Sequence, residues 1–170
     1  MGVGLSYFVT TMSGVVDVAI LSIAFTASFL LHELAHKFSA QHFNLWAEFR
    51  LTLQGALITL ISIFLPFKLI SPGAVMIAGS GTRETVGKTA IAGPITNLVL
   101  ATTFSMVAPL SHLFWIVSFI NAFLAVFNLI PFGVMDGLKV FMWNKLVWVI
   151  AFAVAATLTI YTYSSMMYII

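Results

Sequence analysis

The sequence contains no cysteine, and charged residues make up only 7% of its 170 positions. Without cysteine there are neither disulfides nor thiolate ligands, so a metal ion could be bound only by His, Asp or Glu. Soluble domains usually carry about 25% charged residues, which excludes an ordinary water-soluble surface for this chain. The net charge of +2 is too small to indicate a nucleic acid partner.

The chain is instead rich in apolar sequence, since 61% of its residues are hydrophobic. A lipid bilayer must therefore cover part of its surface. Four segments approach the roughly 20 residues that a helix needs to cross the hydrocarbon core. They are residues 14–42, 88–108, 113–130 and 145–168. We predict an all-α polytopic membrane protein with about four transmembrane helices, in which residues 1–170 form a single membrane-embedded domain.

Residues 51–70 are long enough to cross a membrane, but polar, glycine and proline residues interrupt them. If this segment does not cross fully, every Lys and Arg of the chain falls on one side, which the positive-inside rule makes the cytoplasmic side. We therefore predict a re-entrant or interfacial segment. The short β-branched stretch at residues 74–79 is bounded by glycines and is predicted to be a strand.

The residues His32-Glu33-Leu34-Ala35-His36 form an HExxH pattern at the end of an apolar helix. Residues four apart share a helix face, so both imidazoles can bind one metal ion while Glu33 serves as general base. The alternative is a pair of surface histidines beside a chance glutamate. Ionisable side chains within a membrane segment are costly and usually functional, which favours the metal site.

A catalytic zinc site usually has three protein ligands and one open position. Asp17 is too distant to be the third ligand, because it precedes His32 on the same helix by about 22 Å along the axis. Four other candidates for the third ligand are set aside because they lie in predicted loops or on another helix face. They are His42, Glu48, Glu84 and His112. Asp136, which follows a helix broken by Pro131, remains. For Asp136 to meet the histidines, an even number of crossings must separate the end of the first helix from the end of the third. Residues 88–108 and 113–130 supply two crossings. Residues 51–70 must therefore not add a third, which agrees with the charge distribution.

Three blocks of the sequence resemble the site-2 protease family of intramembrane zinc metalloproteases. They are HELAH at residues 32–36, AGPITN at residues 92–97 and NLIPFGVMDG at residues 128–137. HExxH alone is shared by many proteases, whereas HExxH in a membrane helix followed by the third block is highly specific. The resemblance covers most of the chain, about residues 15–145. Asn97 is interpreted as a residue that packs or hydrogen-bonds between helices rather than acting in catalysis.

The resemblance implies one Zn²⁺ per chain, bound by His32, His36 and Asp136, with Glu33 as the catalytic base. It also implies that Asn128 helps to hold the substrate backbone or the developing oxyanion, and that the predicted strand lies near the active site. Many members of the family carry a PDZ domain or CBS domains. This sequence shows neither, so it is expected to be close to a minimal catalytic core.

A helical substrate must unwind before it is cut, because its carbonyls are hydrogen-bonded within the helix. An extended substrate beside Ala74, Val75, Met76 and Ile77 would regain hydrogen bonds as an added strand. We therefore expect an intramembrane zinc metalloprotease that cleaves single-span membrane proteins, with its active site towards the cytoplasmic side. Two alternatives are a membrane metal-binding or transport protein and a non-catalytic membrane scaffold. The helices offer no evident polar transport path, and an unused buried Glu33 would be costly.

Overall fold

The structure is a computed structural model that describes residues 15–50 and 74–168. The helices in these ranges are α1 (Val15–His42), α2 (Arg83–Val107), α3 (His112–Asn128), α4 (Asp136–Trp143) and α5 (Lys145–Tyr168). The strands are β1 (Trp46–Arg50) and β2 (Ala74–Ala78). A single 3₁₀ turn, Ala108–Leu110, joins α2 to α3. The prediction of a mainly helical chain with one short strand element is confirmed in outline.

Three helices in the described ranges are long and apolar enough to cross a membrane. They are Ala19–His42, Arg83–Leu110 and Lys145–Tyr168. The remaining predicted span is observed as α3, which is apolar but has only 17 residues. At a rise of about 1.5 Å per residue it is about 26 Å long, somewhat less than a hydrocarbon core of about 30 Å. By length, the described helices thus support three of the four predicted crossings.

The strand predicted at residues 74–79 is confirmed as β2, and its partner β1 was not predicted. The two strands are antiparallel, with Trp46 opposite Ala78 and Arg50 opposite Ala74. Because Arg50 and Ala74 are paired, the chain leaves β1 and enters β2 at the same end of the sheet. Residues 51–70 lie outside the described residues, so their re-entrant path stays a prediction.

Small side chains allow α2, α3, α4 and α5 to approach one another closely. The buried core between them consists of Ala90, Ile91, Ala125, Leu129, Val140, Ala151 and Ala155. Lipid tails are as apolar as leucine, so helices in a bilayer associate mainly through close van der Waals packing, which alanine permits. Helix α1 packs against α2 and α3, which places its HExxH residues against the first half of α2.

Helix α2 begins at Arg83, earlier than the start predicted at Lys88. The reason is Thr82, whose side chain accepts a hydrogen bond from the N–H of Thr85 and so caps the helix. Glu84 was placed in a polar loop by the sequence analysis, and this was wrong. It lies in the first helical turn, where an acidic side chain suits the helix dipole, and it forms an exposed ion pair with Lys88.

Two other loop assignments also differ from the structure. Glu48 lies in β1, where its exposed carboxylate pairs with Arg50 at 2.9 Å. His112 is the first residue of α3, directly after the N-cap Ser111. Neither side chain belongs to the HExxH region, so the predicted surface role of Glu48 is unchanged.

Candidate metal centre

His32 and His36 lie one turn apart on the same face of α1, and both side chains are buried. The 28 residues of α1 include neither glycine nor proline, so nothing interrupts the helix through the HExxH pattern. An i, i+4 spacing brings side chains on one face into contact. The two Nε2 atoms are accordingly 3.0 Å apart, and the imidazoles converge on one point.

Asp136 reaches the same point from the first residue of α4. Its Oδ2 atom lies 2.9 Å from His36 Nε2 and 3.3 Å from His32 Nε2. Within the described ranges these three buried residues form a group whose ligand atoms lie within 4.8 Å of one another and could hold a metal ion. The structure therefore brings together the three side chains that the sequence analysis predicted as ligands.

The spacing of the three donor atoms fits a tetrahedral zinc site. Metal–ligand bonds of about 2.0–2.1 Å place neighbouring donors about 3.3 Å apart. The observed separations of 2.9, 3.0 and 3.3 Å are close to this value. Two imidazoles and one carboxylate also leave a fourth position open, as catalytic zinc sites do.

Gly93 of α2 borders the cluster and keeps space open beside the histidines. A Cβ at this position would lie 2.5 Å from His36 Nε2 and 2.6 Å from His32 Nε2. These are the two nitrogen atoms that face the metal position. A glycine is therefore needed here for the backbone of α2 to approach the cluster without displacing a ligand.

The second ring nitrogen of each histidine is held by α2. His36 Nδ1 donates to the Thr89 carbonyl at 2.8 Å, and His32 Nδ1 lies 2.5 Å from Asn97 Oδ1. With Nδ1 donating in both rings, each Nε2 can offer its lone pair to a metal, which is the usual outer-shell arrangement.

Asp136 uses its two oxygen atoms for different partners. While Oδ2 faces the histidines, Oδ1 forms an ion pair with Nζ of Lys139, one turn further along α4, at 3.1 Å. The positive charge of Lys139 beside Oδ1 favours the ionised carboxylate, which is the form that binds a metal.

Glu33 faces the two-stranded sheet. Its Oε2 atom accepts a hydrogen bond of 2.9 Å from the backbone N–H of Val75. Because this N–H bonds Glu33, it points away from β1 and lies on the edge of β2 opposite to β1. All four residues that were predicted to bind substrate, Ala74, Val75, Met76 and Ile77, lie in β2. The predicted base and the predicted substrate strand are thus in direct contact.

Two asparagines differ in how the structure places them. Asn128 is the last residue of α3, and its amide donates to the Leu124 carbonyl of the same helix at 2.9 Å. Its part in holding substrate or oxyanion stays a prediction. Asn97 makes the expected interhelical hydrogen bonds, but it also contacts His32, which the sequence analysis did not predict. The available signal was a polar side chain within an apolar helix.

A cluster of two histidines and one carboxylate, buried among apolar helices, defines the class of protein as a membrane metalloprotein. Over 137 residues the chain is 40% identical to a protein of Methanocaldococcus jannaschii named "Putative zinc metalloprotease MJ0611". The match covers 75% of this chain and 72% of that protein, so the chain belongs to the same family. No family model matches the chain, and no solved structure matches it.

Proposed function

We propose that this chain is an intramembrane zinc metalloprotease of the site-2 protease type. It hydrolyses peptide bonds within or near the transmembrane segments of single-span membrane proteins. One observation carries the proposal: a group of three potential metal ligands lies among apolar helices, and the glutamate between its two histidines borders a strand edge. The relationship to a protein named as a zinc metalloprotease supports the same reaction class.

His32, His36 and Asp136 are proposed to hold Zn²⁺, which when bound lowers the pKa of a coordinated water and polarises the scissile carbonyl. Glu33 accepts a proton from the attacking water and returns it to the leaving nitrogen. The Val75 N–H orients the carboxylate of Glu33 for this task.

Asn128 is proposed to act on the substrate side of the reaction. An amide N–H aimed at the developing oxyanion, or at the substrate backbone, stabilises the transition state. In the structure this amide donates to the Leu124 carbonyl. An amide NH₂ group carries two hydrogens, so the second one can donate to the substrate while this bond remains.

The substrate is proposed to bind as an extended strand along β2. Cleavage requires the substrate helix to unwind, and main-chain hydrogen bonds to a sheet edge replace those that unwinding breaks. The Val75 N–H lies at this edge, and the side chains of Met76 and Ile77 are exposed beside it. These features suit apolar segments from a lipid bilayer, whose side chains would contact the exposed ones of β2.

The active site is proposed to lie towards the cytoplasmic side. The Lys and Arg residues in the described ranges all occur near the metal end of the helices. They lie in or beside the end of α1, the sheet, the start of α2, and α4 with the start of α5. They are Lys37, Arg50, Arg83, Lys88, Lys139 and Lys145. Because basic residues concentrate on the cytoplasmic side of a membrane protein, this distribution supports the proposed orientation.

The proposal is tested with the purified protein and its Glu33→Gln variant in detergent. Bound zinc and cleavage of a labelled single-span membrane peptide are measured for both. We expect about one zinc per chain in each, in line with a three-ligand site, and cleavage by the unmutated protein only. Glu48→Gln, which changes an exposed carboxylate in β1, should cleave normally.

Two results would contradict the proposal: cleavage by Glu33→Gln at the unmutated rate, or the absence of zinc from the unmutated protein. If both proteins bind zinc and neither cleaves any of a broad panel of membrane peptides, the metal-binding or scaffold alternative becomes the better explanation.

A further inference from the structure

A chain of buried hydrogen bonds runs from His32 away from the metal centre. Asn97 Oδ1 faces His32 Nδ1, and Asn97 Nδ2 donates to Asn121 Oδ1 at 2.9 Å. Asn121 Nδ2 in turn donates to Ser28 Oγ and to the Val117 carbonyl, each at 2.9 Å. The polar side chains involved are all buried, and they connect α1, α2 and α3.

The far end of this chain determines the direction of every bond in it. A backbone carbonyl can only accept, so the Val117 carbonyl requires the amide nitrogen of Asn121 on its side. Asn121 must then direct its amide oxygen at Asn97, so the group of Asn97 that faces this oxygen is its NH₂ donor. The Ser28 carbonyl, 3.4 Å from Asn97 Nδ2, favours the same orientation. Asn97 is left with its oxygen towards His32.

The orientation of Asn97 decides which nitrogen of His32 carries the hydrogen. An oxygen atom beside Nδ1 can only accept, so Nδ1 must donate and Nε2 keeps its lone pair. If the Asn97 amide were turned by about 180°, its NH₂ group would face Nδ1 and the hydrogen would move to Nε2. That hydrogen would point at the metal position and prevent coordination by His32.

We propose that Asn97 and Asn121 are positioning residues that hold His32 in the tautomer able to bind the metal. This rests on the proposed function of the cluster as a zinc site. The relay starts at an ordinary backbone carbonyl of α3 and ends at the first ligand of the HExxH pattern. It makes the loaded metal site depend on the packing of three helices, not on α1 alone.

The chain offers a matched control for this relay. Ser118, buried in α3, donates through its hydroxyl to the Ala101 carbonyl of α2 at 2.6 Å. It joins the same two helices as the Asn97–Asn121 pair but is not part of the chain of bonds to His32. Ser118→Ala therefore measures what the loss of one buried interhelical hydrogen bond does by itself.

The test measures zinc affinity of the purified protein in detergent by competition with a chromophoric chelator. Asn97→Leu cannot accept from Nδ1, and we expect zinc affinity to fall about 10- to 100-fold, as for other outer-shell losses. Asn97→Asp presents oxygen to His32 whichever way it turns, so its affinity should stay within about threefold, and Ser118→Ala should match the unmutated protein. A pure packing role predicts the reverse order, because leucine fills the volume of asparagine and a buried carboxylate is costly.

A double-mutant cycle tests the role of Asn121. Asn121→Leu should weaken zinc binding in the unmutated background, because Asn97 loses its main orienting partner. It should have no effect on zinc affinity in the Asn97→Asp background, because a carboxylate needs no orienting. Equal losses in the two backgrounds would overturn the relay.

Thermal unfolding without zinc checks that each variant folds. If Asn97→Leu does not fold, the double-mutant cycle with Asn121→Leu tests the relay instead. The readout also separates this inference from the proposed protease activity. A protein that binds zinc with the expected order of variants but cuts no peptide supports the relay and contradicts the protease. The reversed order in an active protease contradicts the relay alone.

Discussion

The backbone N–H of Val75 donates a hydrogen bond of 2.9 Å to Oε2 of Glu33, which joins the edge of β2 to the HExxH helix. Orientation of the proposed base and the proposed recognition of an extended substrate would therefore involve the same strand. An arriving substrate strand would pair with the edge whose N–H already holds the base. Each function can be separated from the other by choosing which backbone N–H is removed.

Val75→Pro removes the N–H that holds Glu33 and leaves the carboxylate itself intact. Proline is tolerated where an edge-strand N–H points away from its neighbour. We expect kcat for a labelled membrane peptide to fall at least about tenfold, since a general base contributes about 10²–10⁴ to the rate. Zinc content should not change, because the bond that is lost goes to Glu33, which is not one of the three proposed ligands.

The control for this prediction is Ile77→Pro. Alternate residues of a strand point their N–H groups to the same side, so this variant removes a second outward N–H without touching Glu33. It should raise KM and leave kcat close to that of the unmutated protein. Equal losses of kcat in both variants would show that the strand edge, and not the orientation of Glu33, limits the rate.

Lys139→Met is expected to weaken zinc binding by about tenfold. Lys139 pairs with Oδ1 of Asp136, which keeps Oδ2 directed at the histidines. The lysine is half-exposed, so solvent reduces the effect and the protein should still fold. Lys145→Met is the control, since Lys145 lies over the Phe141 ring near the same end of the bundle. If both variants bind zinc as tightly as the unmutated protein, Lys139 does not position the ligand.

The sequence was sufficient to predict that His32, His36 and Asp136 come together, because two simple constraints act on it. The i, i+4 spacing of His32 and His36 requires only a continuous helix, and elimination of the other acidic and histidine residues leaves Asp136. The bounds of α5 were predicted correctly for a similar reason: a continuous apolar run of suitable length leaves little choice. In each case the decisive information lies within one segment or in the order of segments.

The features that could not be predicted depend on contacts between distant residues. Asn97 meets His32 across 65 positions, and nothing local distinguishes a packing asparagine from one that holds a ligand. Strand β1 is only five residues long and follows α1 almost directly, so its partner in β2 is what defines it. The early start of α2 depends on the cap at Thr82, a local signal that the apolar pattern obscured.

Gly93→Ala should abolish tight zinc binding. The added Cβ would lie 2.5 Å from His36 Nε2, so a ligand must move or α2 must shift away. Gly87→Ala is a matched substitution in the same helix, where the Cβ would instead lie 2.3 Å from the Trp143 side chain. Both variants should unfold at lower temperature, but the folded fraction of Gly87→Ala should bind zinc normally. Measurement of zinc affinity at a temperature where both are folded distinguishes them, and normal binding by Gly93→Ala would contradict the assigned geometry.

Removal of zinc should destabilise the protein in a way that depends on Asp136. A metal that binds only the folded state stabilises it by about 2.7 kcal/mol when its free concentration is about 100 times Kd. Thermal unfolding in detergent, with zinc buffered at defined free concentrations, should therefore show a Tm that rises with zinc.

In Asp136→Asn this zinc dependence should largely disappear, because one of the three ligands loses its charge. Glu48→Gln should retain the full dependence, since its carboxylate lies on the exposed surface of β1. Mg²⁺ at the same free concentration should have no effect on the unmutated protein, because imidazole ligands suit zinc and not a hard, oxygen-preferring cation. A rise in Tm that is equal in Asp136→Asn and the unmutated protein would place the stabilising zinc at a different site. The cluster of His32, His36 and Asp136 would then no longer account for metal binding by this chain.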